Sequence, residues 1–141
     1  MKIFIDIGGG DSFSARYYRK RFDKESKNHI YTFEPKKQYK RRYQNIANHT
    51  LIQKAAWTGD STGTIDITAF ITESFSRTDT VDVKMNIGGD EYYLIPDMVK
   101  RGAFRIIRKF HIVWHQDKID KETHLEVFDM IPVHKLSWPN G

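Results

Sequence analysis

Short apolar runs alternate with amphipathic segments along the chain, and this alternation constrains the fold more than any other feature. The runs cover residues 3–7, 29–33, 51–57, 81–87 and 110–115, each with the length and apolar content of a buried strand. Strands that alternate with helices predict parallel pairing through right-handed crossovers. We therefore expect an α/β fold with a mostly parallel, doubly wound sheet and helices on both faces. The length suits a single domain, residues 1–141.

Apolar residues recur at helical spacing between these runs. The predicted helices cover residues 13–22, 38–48, 67–75 and 90–100. Ser12 is the predicted N-cap of the first helix, because a short polar side chain can accept from the free N–H groups of a first turn. Asp66 or Thr68 has the same predicted role in the third helix. Leu125–Phe128 is predicted as one further strand, and the sheet is expected to be short at its C-terminal end.

The composition excludes several kinds of protein. The chain has no cysteine, which excludes disulfide scaffolds, zinc–cysteine sites, iron–sulfur clusters and a thiol nucleophile. A chain without cysteine is compatible with a cytoplasmic location, which is the expected one. No apolar run has the length of a membrane span.

The positive charge is concentrated in one segment. Residues 16–42 carry eleven Lys or Arg residues and three acids, so this segment holds a net charge of +8 whereas the whole chain holds +5. A basic face can attract nucleic acid, phosphorylated substrates or an anionic membrane surface. Because these charges interleave with apolar residues at helical spacing, we interpret them first as the solvated faces of two helices.

All five predicted strands end in polar, glycine or aromatic residues. Doubly wound sheets bind their ligands beyond the carboxyl ends of the strands. The strand ends are Asp6–Gly10, Glu34–Pro35, Ala55–Trp57, Asn86–Gly89 and Trp114–His115. Their agreement predicts a ligand site at that edge of the sheet.

The first two strand ends carry a nucleotide signature. Gly8–Gly10 lets a ligand approach the backbone closely, and a helix begins directly afterwards. Glu34 ends the next strand, where an acid can accept both hydroxyls of a ribose. Phe13 stands where a dinucleotide fingerprint requires glycine, and Asp6 favours a cationic cofactor over a pyrophosphate. Together these residues favour S-adenosylmethionine as the cofactor.

Five segments share their order and spacing with one protein family. They are Phe4–Gly10, Tyr31–Pro35, Lys54–Trp57, Val83–Tyr92 and Val113–His115, which together extend over most of residues 3–118. These segments resemble the FkbM family of S-adenosylmethionine-dependent methyltransferases. The resemblance implies a Rossmann-like class I methyltransferase fold and O-methylation of a hydroxyl on a sugar, glycan or similar small acceptor.

The strand ends and the resemblance together assign candidate site residues. The residues expected at the cofactor are Asp6, Gly8, Gly9, Gly10, Asp11, Ser12, Glu34, Pro35, Ala56 and Trp57. His115 is the candidate general base, because imidazole changes its charge near neutral pH. Glu91 matches the family motif at the reaction site, and Asn86 is a candidate for orienting the acceptor.

Three carboxylates of the family pattern are missing. The family's block of lysine-x-aspartate-x-glutamate-glycine has Asn86 and Gly88 at its acidic positions here. Val113 stands where the family has a glutamate before its tryptophan–histidine pair. His111 and His115 share a strand face, but two histidines without neighbouring acids make a weak metal site, so we expect no bound metal.

Three functions therefore compete. The first is an active O-methyltransferase that acts on a hydroxylated small molecule or glycan. The second is a methyltransferase-fold module that binds the cofactor without catalysis, which the missing carboxylates favour. The third is an RNA methyltransferase, which the basic segment favours. It ranks last because asparagine occupies position 86, near which the ribose 2′-O-methyltransferases have their aspartate.

Overall fold

A computed structural model describes residues 1–139; residues 140–141, the last two of the predicted domain, lie outside this part. The strands are β1 Lys2–Ile7, β2 His29–Phe33, β3 His49–Ile52, β4 Ala55–Trp57, β5 Thr64–Asp66, β6 Thr80–Met85, β7 Ile107–Ile112 and β8 His134–Ser137. The α-helices are α1 Phe13–Phe22, α2 Ile67–Ser74, α3 Glu91–Lys100 and α4 Lys121–Met130. Short 3₁₀ helices cover Lys37–Tyr43, Ala103–Arg105 and Gln116–Lys118.

Six strands form one sheet in the order β3-β2-β1-β6-β7-β8, and all neighbouring pairs are parallel. This confirms the predicted α/β fold with a mostly parallel sheet. Counted along the chain, the strands of this sheet follow the order 3-2-1-4-5-6, which is compatible with a Rossmann-like fold. The strand order reverses between β1 and β6, which makes their carboxyl ends the switch point of the sheet. The short strands β4 and β5 pair separately.

Alternate residues of the strands build two cores, one on each face of the sheet. On one face, Ile3 and Ile5 of β1 pack with the apolar sides of α2, α3 and α4. On the other face, Phe4 packs with Ala15 and Tyr18 of α1. The sheet is therefore flanked by helices on both faces, as predicted, but three of the four α-helices within residues 1–139 lie on the same face.

The predicted third strand, residues 51–57, is in fact two strands in different sheets. β3 pairs with β2 up to Phe33 and Ile52, and the amide of Glu34 then donates to the Ile52 carbonyl at 3.1 Å. Pro35 follows and has no N–H to continue the ladder. The chain therefore leaves the main sheet after Ile52 and pairs with β5 instead.

The predicted helix over residues 38–48 is wrong beyond the first turns, since only a 3₁₀ helix over Lys37–Tyr43 forms. Asn45 and Asn48 have positive φ angles of 66° and 48°, which a helix does not allow. Two arginines of α1 bind backbone carbonyls of this segment and so stabilise its non-helical path. Arg16 donates to the carbonyls of Arg42 and Gln44, and Arg19 donates to those of Ala47 and Asn48.

The predicted strand over Leu125–Phe128 is also wrong, because these residues lie within α4. Asp120 caps this helix by accepting from the amide of Thr123 at 3.1 Å. His124 and Val127 share the buried side, as residues three apart on a helix do. The one strand that follows β7 in the main sheet among the described residues is β8, His134–Ser137, which comes later in the chain and pairs parallel to β7.

Within residues 1–139, no helix combines the length and the apolar character that crossing a bilayer requires.

Candidate functional site

The glycine loop after β1 packs tightly against its neighbours. Gly8 has a φ of +76°, and a Cβ placed there would lie 1.9 Å from the backbone oxygen of Asn86. A Cβ on Gly9 would lie 2.3 Å from Cγ2 of Thr32 and 2.4 Å from the Tyr43 hydroxyl. Gly10 also has a positive φ, +58°, but no atom lies within 4 Å of its Cβ position. Positions 8 and 9 therefore need glycine for space, and position 10 needs it for backbone conformation alone.

Glu34 fastens this loop to the end of β2. Its Oε1 accepts from the amide of Gly10 at 2.8 Å, and its Oε2 accepts from the amide of Lys36 at 2.9 Å. The residue is only 7% exposed. A carboxylate has about four acceptor positions, so each oxygen retains one after these two bonds.

A cleft of about 340 Å³ opens at the switch point of the sheet. It is lined by Gly8, Phe33, Glu34, Pro35, Lys36, Ala55, Ala56, Asn86, Ile87, Gly88 and Asp90. The structure thus brings together four of the predicted cofactor residues, Gly8, Glu34, Pro35 and Ala56. Asn86, predicted to orient an acceptor, lies in the same wall. The cleft is within the size range of small-molecule sites.

Asp6 does not line this cleft, although the sequence placed it at the cofactor. Its side chain is completely buried, and Oδ1 lies 3.0 Å from Nζ of Lys84 on the adjacent strand β6. The same Nζ donates to the carbonyl of Gly8 at 2.8 Å. The buried Asp6–Lys84 ion pair therefore holds the backbone of the glycine loop in place through the Gly8 carbonyl. Lys84 is not among the site residues predicted from the sequence. Its position in the middle of an apolar run, residues 81–87, was the signal that could have identified it.

Three further polar side chains extend this support beneath the loop. Thr32 Oγ1 lies 2.8 Å from Nε2 of His49 and 3.4 Å from Oδ2 of Asp6. Burial lowers the pKa of His49 to about 4, so its imidazole is neutral at neutral pH. The Tyr43 hydroxyl donates to the Gly10 carbonyl at 2.8 Å, and its pKa is raised by burial and by the nearby carboxylates of Asp6 and Glu34.

Asp11 and Ser12 lie on a different surface from the cleft, in a shallow concavity beside Arg16. Ser12 precedes α1 with a φ of 84°, and, contrary to the prediction, its hydroxyl does not cap the helix. Instead its Oγ accepts from Nε of Arg16 at 3.0 Å. Asp11 accepts from the amide of Phe13 at 3.2 Å.

Trp57 is half-buried at the end of β4 and is not in the cleft wall.

Glu91 and His115 form a pair next to the cleft. The Glu91 carboxylate is completely buried, and its Oε2 lies 2.6 Å from the amide nitrogen and 3.1 Å from Nδ1 of His115. Its Oε1 accepts from the amide of Gly89 at 2.8 Å. Because Glu91 has no exposed surface and both of its oxygens are bound, it positions His115 instead of contacting an acceptor itself. This corrects its predicted catalytic role.

The contact with Glu91 involves only one of the two ring nitrogens of His115. A neutral ring that donates from Nδ1 to Glu91 carries a lone pair on Nε2. Nε2 has no hydrogen-bond partner among residues 1–139, and the side chain is 25% exposed. Within the same described residues, no three His, Asp or Glu side chains are grouped to hold a metal ion.

The basic segment has partly structural uses. Besides their bonds to the backbone of residues 42–48, Arg16 binds the Ser12 hydroxyl and Arg19 binds the carbonyl of Asn28. Arg19 also pairs with Asp23. These two guanidinium groups bind other parts of the chain. The basic segment therefore has fewer cations available to a partner than its eleven Lys and Arg residues imply.

The fold and the cleft define this chain as an α/β protein with a parallel six-stranded sheet, compatible with a Rossmann-like fold, and with a candidate ligand site at its switch point. It matches no family model, no curated protein and no solved structure. The resemblance to the FkbM family therefore stays a prediction, and function is argued from the residues of the cleft.

Proposed function

We propose that this protein has a class I methyltransferase fold, binds S-adenosylmethionine in the switch-point cleft and methylates a hydroxyl of a small acceptor such as a sugar. The observation that carries the proposal is the convergence of Gly8, Glu34 and Asn86, which follow three different strands, in one cleft. Ligands of open parallel sheets bind at this position.

The residues of the cleft fit the adenosine part of this cofactor. Each Glu34 oxygen has one acceptor position left, which suits the two vicinal hydroxyls of a ribose. Gly8 has no side chain that would hinder close approach of the ligand to the backbone. Ala55, Ala56 and Ile87 provide an apolar surface for a flat base.

The chain's own groups supply positioning and proton transfer. When bound, S-adenosylmethionine provides an electrophilic methyl group on a sulfonium. An acceptor hydroxyl has a high pKa, so a base that removes its proton assists its attack. His115 takes that proton on Nε2, and Glu91 stabilises the resulting imidazolium through Nδ1. Asn86 in the cleft wall orients the acceptor.

Replacing Glu34 tests the cofactor site. We expect Glu34→Ala to weaken binding of S-adenosylhomocysteine by about 1–3 kcal/mol, measured by isothermal titration calorimetry, because bonds to a charged acceptor are lost. Glu34→Gln keeps one oxygen for the Gly10 amide and is expected to weaken binding less. Glu73→Gln, on the exposed side of α2, is the control. Unchanged affinity in a folded Glu34→Ala variant would place the cofactor elsewhere.

Replacing His115 tests the general base. We expect His115→Gln to lower the methyl-transfer rate on a responsive glycan or sugar by about 10²–10⁴-fold, because the proton acceptor is removed. Affinity for S-adenosylhomocysteine is expected to stay unchanged, since His115 is not in the cleft wall. A variant with the full rate would contradict the assignment.

A second function, a binding module without catalysis, is favoured by one observation. The only acid of the family's reaction-site pattern retained here is Glu91, and both of its oxygens are bound within the protein. Calorimetric binding of S-adenosylmethionine without methyl transfer to any member of a glycan panel would favour this module over the enzyme.

A further inference from the structure

A second cavity, of about 330 Å³, lies on the sheet face that carries α1. It extends over β6, β7 and β8 beside the C-terminal half of α1. The switch-point cleft and this cavity share no lining residue. Among the described residues, α1 is the only α-helix on this face, so β7 and β8 are less covered here than on the face that carries α2, α3 and α4.

Aromatic rings form much of the cavity wall. Tyr17 and Trp138 lie edge to face, with ring centroids 5.0 Å apart. Phe22 is 49% exposed, and its ring centroid lies 6.4 Å from that of Trp138. Trp138 is only 6% exposed, so Phe22 and the half-buried Tyr17 provide most of the accessible ring surface. This surface favours a flat ligand, since aromatic pairs gain from stacked and edge-to-face contacts.

His111 contributes a polar group that has no partner. Its residue is 9% exposed, and it packs against Trp138 and Phe22. It makes no hydrogen bond within residues 1–139, and its ring nitrogens are not among the buried unpaired side-chain atoms, so they are accessible from the cavity. Burial lowers its pKa, so the ring is neutral at neutral pH and offers one donor and one acceptor.

The charges around the cavity favour an anion. Asp82 is the only acid in the lining, and both of its oxygens are bound by Arg108, at 3.1 and 2.7 Å. Lys2 and Lys109 are exposed at the cavity and form no ion pair within the described part of the chain. With Asp82 neutralised by Arg108, these two ammonium groups leave the opening positively charged.

We propose that this cavity is a binding site for a small aromatic anion. The ring packs against Phe22 and Tyr17, a polar substituent bonds to His111, and the acid group lies near Lys2 and Lys109. The proposal does not depend on the proposed methyl transfer, because it rests on residues outside the switch-point cleft.

The test is calorimetric titration of the full chain with 4-hydroxybenzoate and indole-3-acetate. Each is expected to bind at one saturable site. Cyclohexanecarboxylate, which lacks a flat ring, and benzyl alcohol, which lacks the charge, are expected to bind at least about tenfold more weakly. Saturating S-adenosylhomocysteine is expected to leave the affinity unchanged. No saturation by either aromatic acid, or equal binding of cyclohexanecarboxylate, would overturn the proposal.

Variants locate the site. His111→Leu and Lys109→Gln are each expected to weaken probe binding about fivefold, the effect of one lost hydrogen bond or charge contact. Lys121→Gln, an exposed lysine at the start of α4 outside the cavity, is the control and is expected to bind normally. Lys109 is exposed, so its variant stays informative even where His111→Leu fails to fold. Unchanged binding by Lys109→Gln, or a dimer in sedimentation velocity that excludes the probes, would refute the site.

Discussion

Gly8→Ala is expected to lower the free energy of unfolding by about 3 kcal/mol or more and to abolish binding of S-adenosylhomocysteine. The added Cβ would lie 1.9 Å from a backbone oxygen, that of Asn86, which cannot rotate away as a side chain can. The positive φ adds roughly 1–2 kcal/mol of strain. Thermal and urea unfolding measure the first effect, and calorimetry with S-adenosylhomocysteine measures the second.

Variants at two other glycines distinguish the cost of the steric clash at position 8 from the cost of its positive φ. Gly10 has a positive φ with open space around its Cβ position, so Gly10→Ala is expected to cost only about 1–2 kcal/mol. Gly63 has neither a positive φ nor a close neighbour, so Gly63→Ala is expected to be neutral or slightly stabilising. Equal stabilities for the variants at positions 8 and 63 would show that β1 and β6 do not meet as closely as described.

Lys84→Met is expected to lower the free energy of unfolding by about 3–5 kcal/mol. The change leaves the Asp6 carboxylate buried without its cation, and breaking a buried ion pair on one side has costs of this size. It also removes the donor to the Gly8 carbonyl, so the glycine loop should loosen and cofactor affinity should fall. Urea unfolding at neutral pH measures the stability.

The double variant Asp6→Asn/Lys84→Met isolates the ion pair. Because it removes both charges, it is expected to be more stable than Lys84→Met alone, with a coupling energy between the two sites above about 1 kcal/mol. Lys2→Met, an exposed lysine on the same strand as Asp6, is the control and is expected to change stability by less than about 0.5 kcal/mol. Strict additivity would mean that the two side chains do not interact.

The parallel sheet could be predicted because its signals are local. The strand at residues 3–7, its glycine turn, and the strand at 29–33 with Pro35 as its stop all depend on neighbours in sequence, and the structure places them within one or two residues of the prediction. The helix at residues 38–48 failed for a non-local reason. Its carbonyls bind Arg16 and Arg19 of α1, more than 20 residues away.

The sequence predicted where the candidate site lies, but only some of the residues that line it. Gly8, Glu34, Ala56 and Asn86 meet in one cleft because the carboxyl ends of parallel strands share an edge. The pairing of Glu91 with His115 was not predictable, since it depends on how the start of α3 lies against the end of β7.

The sequence by itself determined the alternation of strands and helices, and with it the parallel sheet and the edge where a ligand can bind. These follow from hydrophobic periodicity, which each segment carries independently of the rest. The tertiary structure alone decided the direction of each charged side chain. Asp6 can meet either a ligand or Lys84, which lies 78 residues away in the chain. Only the register of β1 against β6, which pairs these two residues directly, buries the carboxylate against the lysine.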